Sequence, residues 1–177
     1  MKPRHPVNLL KIPASAYKKG QAVEPVQSGP VVVVDTREKK PYHFDRSTRA
    51  ALQTGDYSVQ GLEHLVAVER KSKSDLYGTL STARSRGRFC NELERARELS
   101  FFALVVECTM TDFRRPPETP AAKRRPYDKD ATWRHLELIC VRFNVSPWWC
   151  ENRVQAQAVT GRLLAVAYAE MWREMDR

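Results

Sequence analysis

Apolar residues in this chain fall into two kinds of run. Val31–Val34 is an unbroken β-branched stretch, the pattern of a strand buried on both faces. Tyr57–Val59 and Leu65–Arg70 lie either side of Gly61 and read as a hairpin. Phe101–Cys108 is a further buried strand, and Val145–Trp149 is a last one despite Pro147. Elsewhere the spacing is helical. Leu76, Leu80 and Ala83 share a face of a helix expected from Asp75 to about Thr82, capped by Ser74. Gly87 is expected to break or kink it, and Phe89, Leu93 and Ala96 mark a second helix from Arg88 to Leu99. Trp133, Leu136, Cys140 and Phe143 recur with helical period. Val154, Leu164, Tyr168 and Met171 do so in a long helix over Glu151–Met175. Residues 42–54 are expected to hold a short edge segment at Tyr42 and Phe44 and a helical turn around Arg49–Leu52. The order predicts an α/β fold, a mixed sheet flanked by helices.

Two segments stand outside this pattern. Residues 1–29 lack apolar periodicity and set Lys2, Arg4, Lys11, Lys18 and Lys19 against Glu24. They read as a flexible basic arm ahead of one folded domain over 30–177, either tracking a DNA backbone or serving as a solvated tail. Arg114–Asp130 is a long Pro-rich basic loop.

Charge narrows the partners. The 177 residues carry a formal charge of +9, which suits nucleic acid or an acidic membrane surface. No apolar run is long enough to span a bilayer, and Val7–Leu10 is too short for a signal sequence, so no membrane partner is expected. Cys90, Cys108, Cys140 and Cys150 form no CxxC pair and the histidines are scattered, which argues against structural zinc and for free thiols in a reducing compartment. The expected location is the cytoplasm, or the nucleus in a eukaryotic host.

The candidate chemistry sits at strand ends. Glu69 and Lys71 are two apart and share one face of a strand, while Arg70 takes the other face or an edge. Asp56 opens the partner strand and Asp35 closes the first one. Three carboxylates converging there make an oxygen-rich site suited to Mg²⁺ or Mn²⁺. Lys71 is then the cation that positions a water or steadies a phosphoryl transition state, and Arg70 clamps a phosphate or pairs with Asp75. An acid–x–Lys pair alone is also an ordinary cross-strand ion pair worth ~0.2–1 kcal/mol. What makes the set specific is its combination: VVVVDTRE, then Gly55-Asp56, then Glu69-Arg70-Lys71 and Asp75.

VVVVDTRE, GDY, VERKSKSD and SRGRF in this order resemble the nuclease domain of the XPF-family structure-specific endonucleases, from about Val31 to Glu107. The resemblance implies a restriction-endonuclease-like fold, dependence on a divalent metal, and cutting of branched or flapped DNA. It implies Asp35, Asp56 and Glu69 as metal ligands and Lys71 as the catalytic lysine. Arg37, Glu38, Arg70 and Asp75 match supporting positions, and Arg88 a helix position facing DNA. Many members add a helix-hairpin-helix pair. This chain has no GxG hairpin after the nuclease region, its only late glycine being Gly161, so the similarity is to the stand-alone bacterial and phage forms. Another protein is then expected to supply DNA targeting. Many members also place a glutamine where Asn91 or Glu92 falls here.

Beyond the motif, Arg84, Arg86 and Arg88 form a basic row read as phosphate-binding, with an ordinary solvated face as the competing reading. Arg114, Arg115, Lys123, Arg124 and Arg125 form a second cluster that either covers a DNA arm or is disordered without ligand. Glu107 is read either as an outer acid of the site or, by preference, as a strand-end carboxylate; Glu38 either supports the ligands or pairs with Lys39 or Arg37. Trp148 and Trp149 are expected in core or dimer packing rather than base stacking. Leu163, Leu164, Tyr168 and Trp172 suggest a homodimer seam, or packing on the chain's own sheet. Three functions are consistent with these features: a metal-dependent endonuclease in repair, recombination or phage replication; a non-catalytic DNA-binding module; and a sequence-specific restriction-type nuclease. The presence of every acid favours the first.

Overall fold

A computed structural model describes residues 30–124 and 126–175. The expected arm at 1–29 and Arg125 lie outside the described residues, as does the side chain of Arg124. Six strands are ordered β2-β1-β3-β4-β5-β6 in one mixed sheet. They are β1 Val32–Asp35, β2 Ser47–Ala50, β3 Tyr57–Val59, β4 Val66–Lys71, β5 Phe101–Val106 and β6 Pro147–Trp149. The helices are α1 Lys73–Ser81, α2 Ala83–Ala96, α3 Met110–Phe113, α4 Pro120–Arg124, α5 Lys129–Phe143 and α6 Arg153–Met175.

Alternation along the strands sorts side chains onto two faces. Val32, Val34, Tyr57, Val59, Val66, Val68, Ala103 and Val105 form one, buried against Ala156, Leu164, Ala167 and Met171 of α6. Leu104 and Val106 face the other way, into a core with Leu76, Tyr77, Leu80, Phe89, Leu93, Leu136 and Ile139 of α1, α2 and α5. Each large apolar side chain so buried contributes roughly 1.5–3 kcal/mol. Of the residues that suggested a dimer seam, Leu164 is fully buried and Leu163 and Tyr168 pack on the same core, leaving Trp172 as the exposed one. Trp149 packs on the second core, and Trp148 stands half-exposed on the edge strand.

Three local expectations are corrected. Residues 47–50 are not a helical turn but strand β2, parallel to β1 with Val33 opposite Thr48. As an edge strand with mostly exposed residues, β2 carries no apolar alternation. The cap of α1 is Ser72, whose Oγ accepts from the Asp75 amide, rather than Ser74. The chain breaks at Thr82 and not at Gly87. Thr82 and Ser85 exchange side-chain and backbone hydrogen bonds in a capping box, which starts α2 and leaves Gly87 inside it. The short α3 precedes the Arg-Pro loop, which holds α4 before Asp128 caps α5. Among the described residues no helix is long and apolar enough to cross a membrane.

Candidate active site

The three predicted acids form a row because the sheet register places them there. In the antiparallel pairs Val34 lies opposite Tyr57, and Tyr57 opposite Val68. One residue further along, Asp35 meets Asp56 and Asp56 meets Glu69. The backbone confirms the contact, with the Asp35 amide donating to the Asp56 carbonyl at 2.8 Å. Cross-strand neighbours share a face, so all three point to the α1 and α2 side. Gly55 makes the approach possible. Its φ is +78°, and a Cβ there would lie 3.0 Å from the Ala67 Cβ and 3.1 Å from the Val68 carbonyl oxygen. Only glycine accepts that conformation and that closeness.

The three acids are not equivalent. Asp35 is 2 % exposed, and its oxygens are filled by protein donors. Oδ1 accepts from the Arg37 amide at 2.7 Å and Arg37 Nε at 2.8 Å; Oδ2 accepts from Arg37 Nη2 at 2.9 Å and the Leu52 amide at 2.7 Å. A carboxylate offers about four acceptor positions, so this one is saturated. The Arg37 side chain, helped by the Leu52 and Arg37 amides, overrides burial and pulls Asp35 down to about 2. In this arrangement the Asp35 oxygens are engaged by Arg37 and the Leu52 amide, and a cation reaching them would displace Arg37.

Asp56 and Glu69 are the open pair. Burial pushes Asp56 up to about 6, against the pull of the Arg70 amide, which donates to Oδ2 at 2.9 Å, and of Lys71. Burial also drives Glu69 well above the usual carboxylate range, opposed chiefly by Lys71. Lys71 donates to Glu69 Oε1 and lies 5.3 Å from the centre of the Phe89 ring. Burial disfavours the Lys71 ammonium, but Glu69 and then Glu92 outweigh it, so its pKa rises and it is held as a cation. A buried and a partly buried carboxylate that resist ionising side by side are chemically suited to a hard divalent cation. As they stand, no three acidic, histidine or cysteine side chains among the described residues gather tightly enough to cage one.

Arg70 points to the opposite face, as alternation requires. There it pairs with Glu38 Oε2 at 3.2 Å and Glu107 Oε2 at 3.0 Å, with Asp75 at 4.0 Å. Glu107 also accepts from Arg153 Nη1 at 2.8 Å and from the Tyr42 hydroxyl at 2.9 Å. It is a network carboxylate behind the sheet and not a wall of the site. Glu38 spends its other oxygen on the Lys40 amide, so it pairs with neither Lys39 nor Arg37. Asp75 accepts from the Ser72 hydroxyl at 2.6 Å at the start of α1.

These groups open into a pocket of about 680 Å³. Arg37, Lys39 and Lys40 line it from the loop after β1, and Arg88, Glu92 and Arg95 from α2. The last three recur at i, i+4 and i+7, one polar stripe of the helix. Of the two predicted DNA-binding clusters, Arg88 alone among the described residues lines this wall. Arg84 is exposed outside it, and Arg86 turns back to donate to the Leu80 carbonyl at 2.8 Å. Arg114 lies over the Trp133 ring at 4.8 Å, and Arg115 and Lys123 are exposed away from the pocket. Lys39, Lys40, Glu92 and Arg95 were not singled out as site residues from sequence. The α2 stripe was legible in principle, from the polar positions flanking Phe89 and Leu93.

No curated protein sequence matches the chain significantly. Several solved chains do. XPF from Aeropyrum pernix superposes with a TM-score of 0.55 at 18% identity, covering 76% of this chain and 65% of that one. XPF from Aeropyrum pernix in complex with DNA gives 0.54 at 20% identity, covering 80% and 66%. The chain thus spans just under two thirds of the structures it resembles, and they establish its fold as the restriction-endonuclease-like one of the XPF nuclease domain. The sequence profile of the ERCC4 domain matches residues 34–163. That match runs from the end of β1 to the middle of α6 and takes in the acid row and both helices walling the pocket, so the chain belongs to the ERCC4-domain family of nucleases.

Proposed function

We propose that this protein is a Mg²⁺- or Mn²⁺-dependent DNA endonuclease that hydrolyses phosphodiester bonds in branched or flapped DNA. The observation that carries the reading is the juxtaposition of Asp56, Glu69 and Lys71 on one sheet face, at the floor of a pocket rimmed by Arg37, Lys39, Lys40, Arg88 and Arg95. A DNA-bound relative of the same fold supports the polyanionic substrate. Asp56 and Glu69 are the residues that would hold the metal, which when bound neutralises phosphate charge and acidifies a water. Lys71, kept protonated by Glu69, is the fixed cation for the charge that develops on the attacked phosphate. The Arg37 side chain is largely exposed although its guanidinium is anchored on Asp35, so it meets a phosphate in a preset orientation.

The test is cleavage with Mg²⁺ of labelled duplex, single-stranded, flap, fork and four-way-junction DNA by the wild type, Asp56→Asn and Lys71→Ala. Cutting is expected to follow the branch and to be lost in both variants, with DNA binding largely retained. Binding with no cutting in the wild type would make the protein a non-catalytic module. Cutting at fixed duplex sequences would make it a restriction-type enzyme.

A further inference from the structure

We infer that Arg37 and Arg95 form a two-arginine clamp for one backbone phosphate of the substrate, adjoining the phosphodiester that is cut, a refinement that rests on the proposed nuclease reading. The two come from different elements, the loop after β1 and the polar stripe of α2, yet both are tied to the same dipeptide. Arg37 Nη2 donates to the Leu52 carbonyl at 2.6 Å, and Arg95 Nε to the Gln53 carbonyl at 3.3 Å. Consecutive residues lie about 3.8 Å apart at Cα, so the two anchors are neighbours. Both arginines line the one pocket and are exposed there. The dipeptide is itself fixed, since the Leu52 amide donates to Asp35 Oδ2 at 2.7 Å, and it leads through Thr54 and Gly55 into Asp56. The clamp therefore has a set position relative to the acid row.

Each guanidinium keeps donors to spare. Arg37 spends Nε and both Nη2 hydrogens on Asp35 and Leu52, which leaves the two on Nη1. Arg95 spends Nε on Gln53 and one Nη1 hydrogen on the Asn91 carbonyl at 3.2 Å, which leaves three. Carbonyls orient Arg95 without cancelling its charge, and it makes no ion pair among the described residues. Arg97, two residues on, is by contrast paired with Glu94. The Lys39, Lys40 and Arg88 side chains line the same pocket but make no hydrogen bond or ion pair among the described residues. They add positive charge without fixed direction, whereas the two arginines hold forked donors already in place, an arrangement that suits the oxygens of a phosphate.

The experiment is anisotropy titration of fluorescein-labelled flap DNA with the full chain in chelator, where binding is read without cleavage. Arg95→Gln is expected to weaken binding about tenfold. Arg95→Lys keeps the charge but not the fork and should stay at least about threefold weaker than the wild type. Arg97→Gln removes one positive charge from the end of the same helix, outside the pocket, and keeps wild-type affinity. Arg37→Lys retains a cation beside Asp35 while losing the fork. Combined with Arg95→Gln it should lose clearly less than the product of the two single losses, because both residues grip one group. Full affinity in Arg95→Gln or Arg95→Lys, an equal loss in Arg97→Gln, or single losses that simply multiply overturns the clamp. Cleavage with Mg²⁺ checks the nuclease reading separately. If Arg95→Gln binds like the wild type while the wild type still cuts, only the clamp falls. If the losses appear but the wild type never cuts, the clamp stands and the endonuclease reading falls. A wild type that binds no flap DNA overturns both.

Discussion

Asp56 is a carboxylate that folding places at a disadvantage. Its pKa is about 6 in the folded protein against 3.8 when unfolded, because burial outweighs the Arg70 amide and Lys71. A group whose folded pKa is raised favours the fold fully below the unfolded value and loses that contribution as pH climbs through the folded one. Metal-free protein should therefore lose on the order of 3 kcal/mol between about pH 4 and 6 from this group alone. Asp56→Asn keeps an oxygen for the Arg70 amide and removes the ionisation. Its melting temperature in chelator should exceed the wild type's by roughly 5–10 °C at pH 7 and match it at pH 4. Equal curves at pH 7 would show that Asp56 is already solvated or paired. Saturating Mn²⁺ should stabilise the wild type and leave the variant unchanged. The neighbouring Gly55→Ala is a different kind of lesion, since a left-handed φ and a 3.0 Å clash act together. It should cost roughly 1–3 kcal/mol in urea unfolding at every pH, by strain rather than charge.

Among elements, α2 separates what pattern reveals from what it hides. Its apolar stripe fixed the inward face, but its start was set by the Thr82–Ser85 capping box and its polar stripe became the pocket wall. Arg86 and Arg88 look alike in sequence, yet one is spent on the Leu80 carbonyl and the other lines the pocket. Arg88→Ala should weaken flap-DNA binding and lower the slope of log K against log salt by about 1, whereas Arg86→Ala should leave the slope alone. Fluorescence anisotropy at several salt concentrations decides it. The same contrast explains how much could be read in advance. β1, the β3–β4 hairpin, β5, β6 and α6 announce themselves, because burial forces apolar runs on them. β2 does not, because an exposed edge strand asks nothing apolar of Ser47–Ala50. The acids Asp56 and Glu69 and the cation Lys71 were legible from strand alternation and motif. Saturation of Asp35 was not, since it depends on the Leu52 amide seventeen residues away. Neither was the position of Glu92, which depends on how α2 crosses the sheet.

Taken whole, the molecule keeps chemistry and support on opposite sides of one sheet. The acid row and Lys71 face α1 and α2, while Arg70, between Glu69 and Lys71 in the chain, turns to the other face at the sheet's end, where it and Glu38 still border the pocket. Glu107 is the hub of that support. Through Arg70 it fixes the end of β4, through Tyr42 and Arg153 it fixes the loop after β1, and Arg153 also donates to the Lys40 and Pro41 carbonyls. The loop so held is the one that brings Lys39 and Lys40 to the pocket rim. Removing Glu107 leaves the Arg70 guanidinium buried with Glu38 as its remaining close partner. Loss of one member of a buried ion pair costs about 3–5 kcal/mol, and the survival of Glu38 puts Glu107→Ala near the lower end. Arg153 is 41% exposed, so its pair with Glu107 is screened, and Arg153→Met should cost about 1 kcal/mol or less. Urea unfolding of both variants at neutral pH measures the difference. Equal losses would move the centre of the network from Arg70 to the Arg153 clamp on the loop. A larger loss in Glu107→Ala, with weaker DNA cleavage although no pocket residue has changed, is the result expected if the rear of the sheet sets the position of Glu69 and Lys71 at its front.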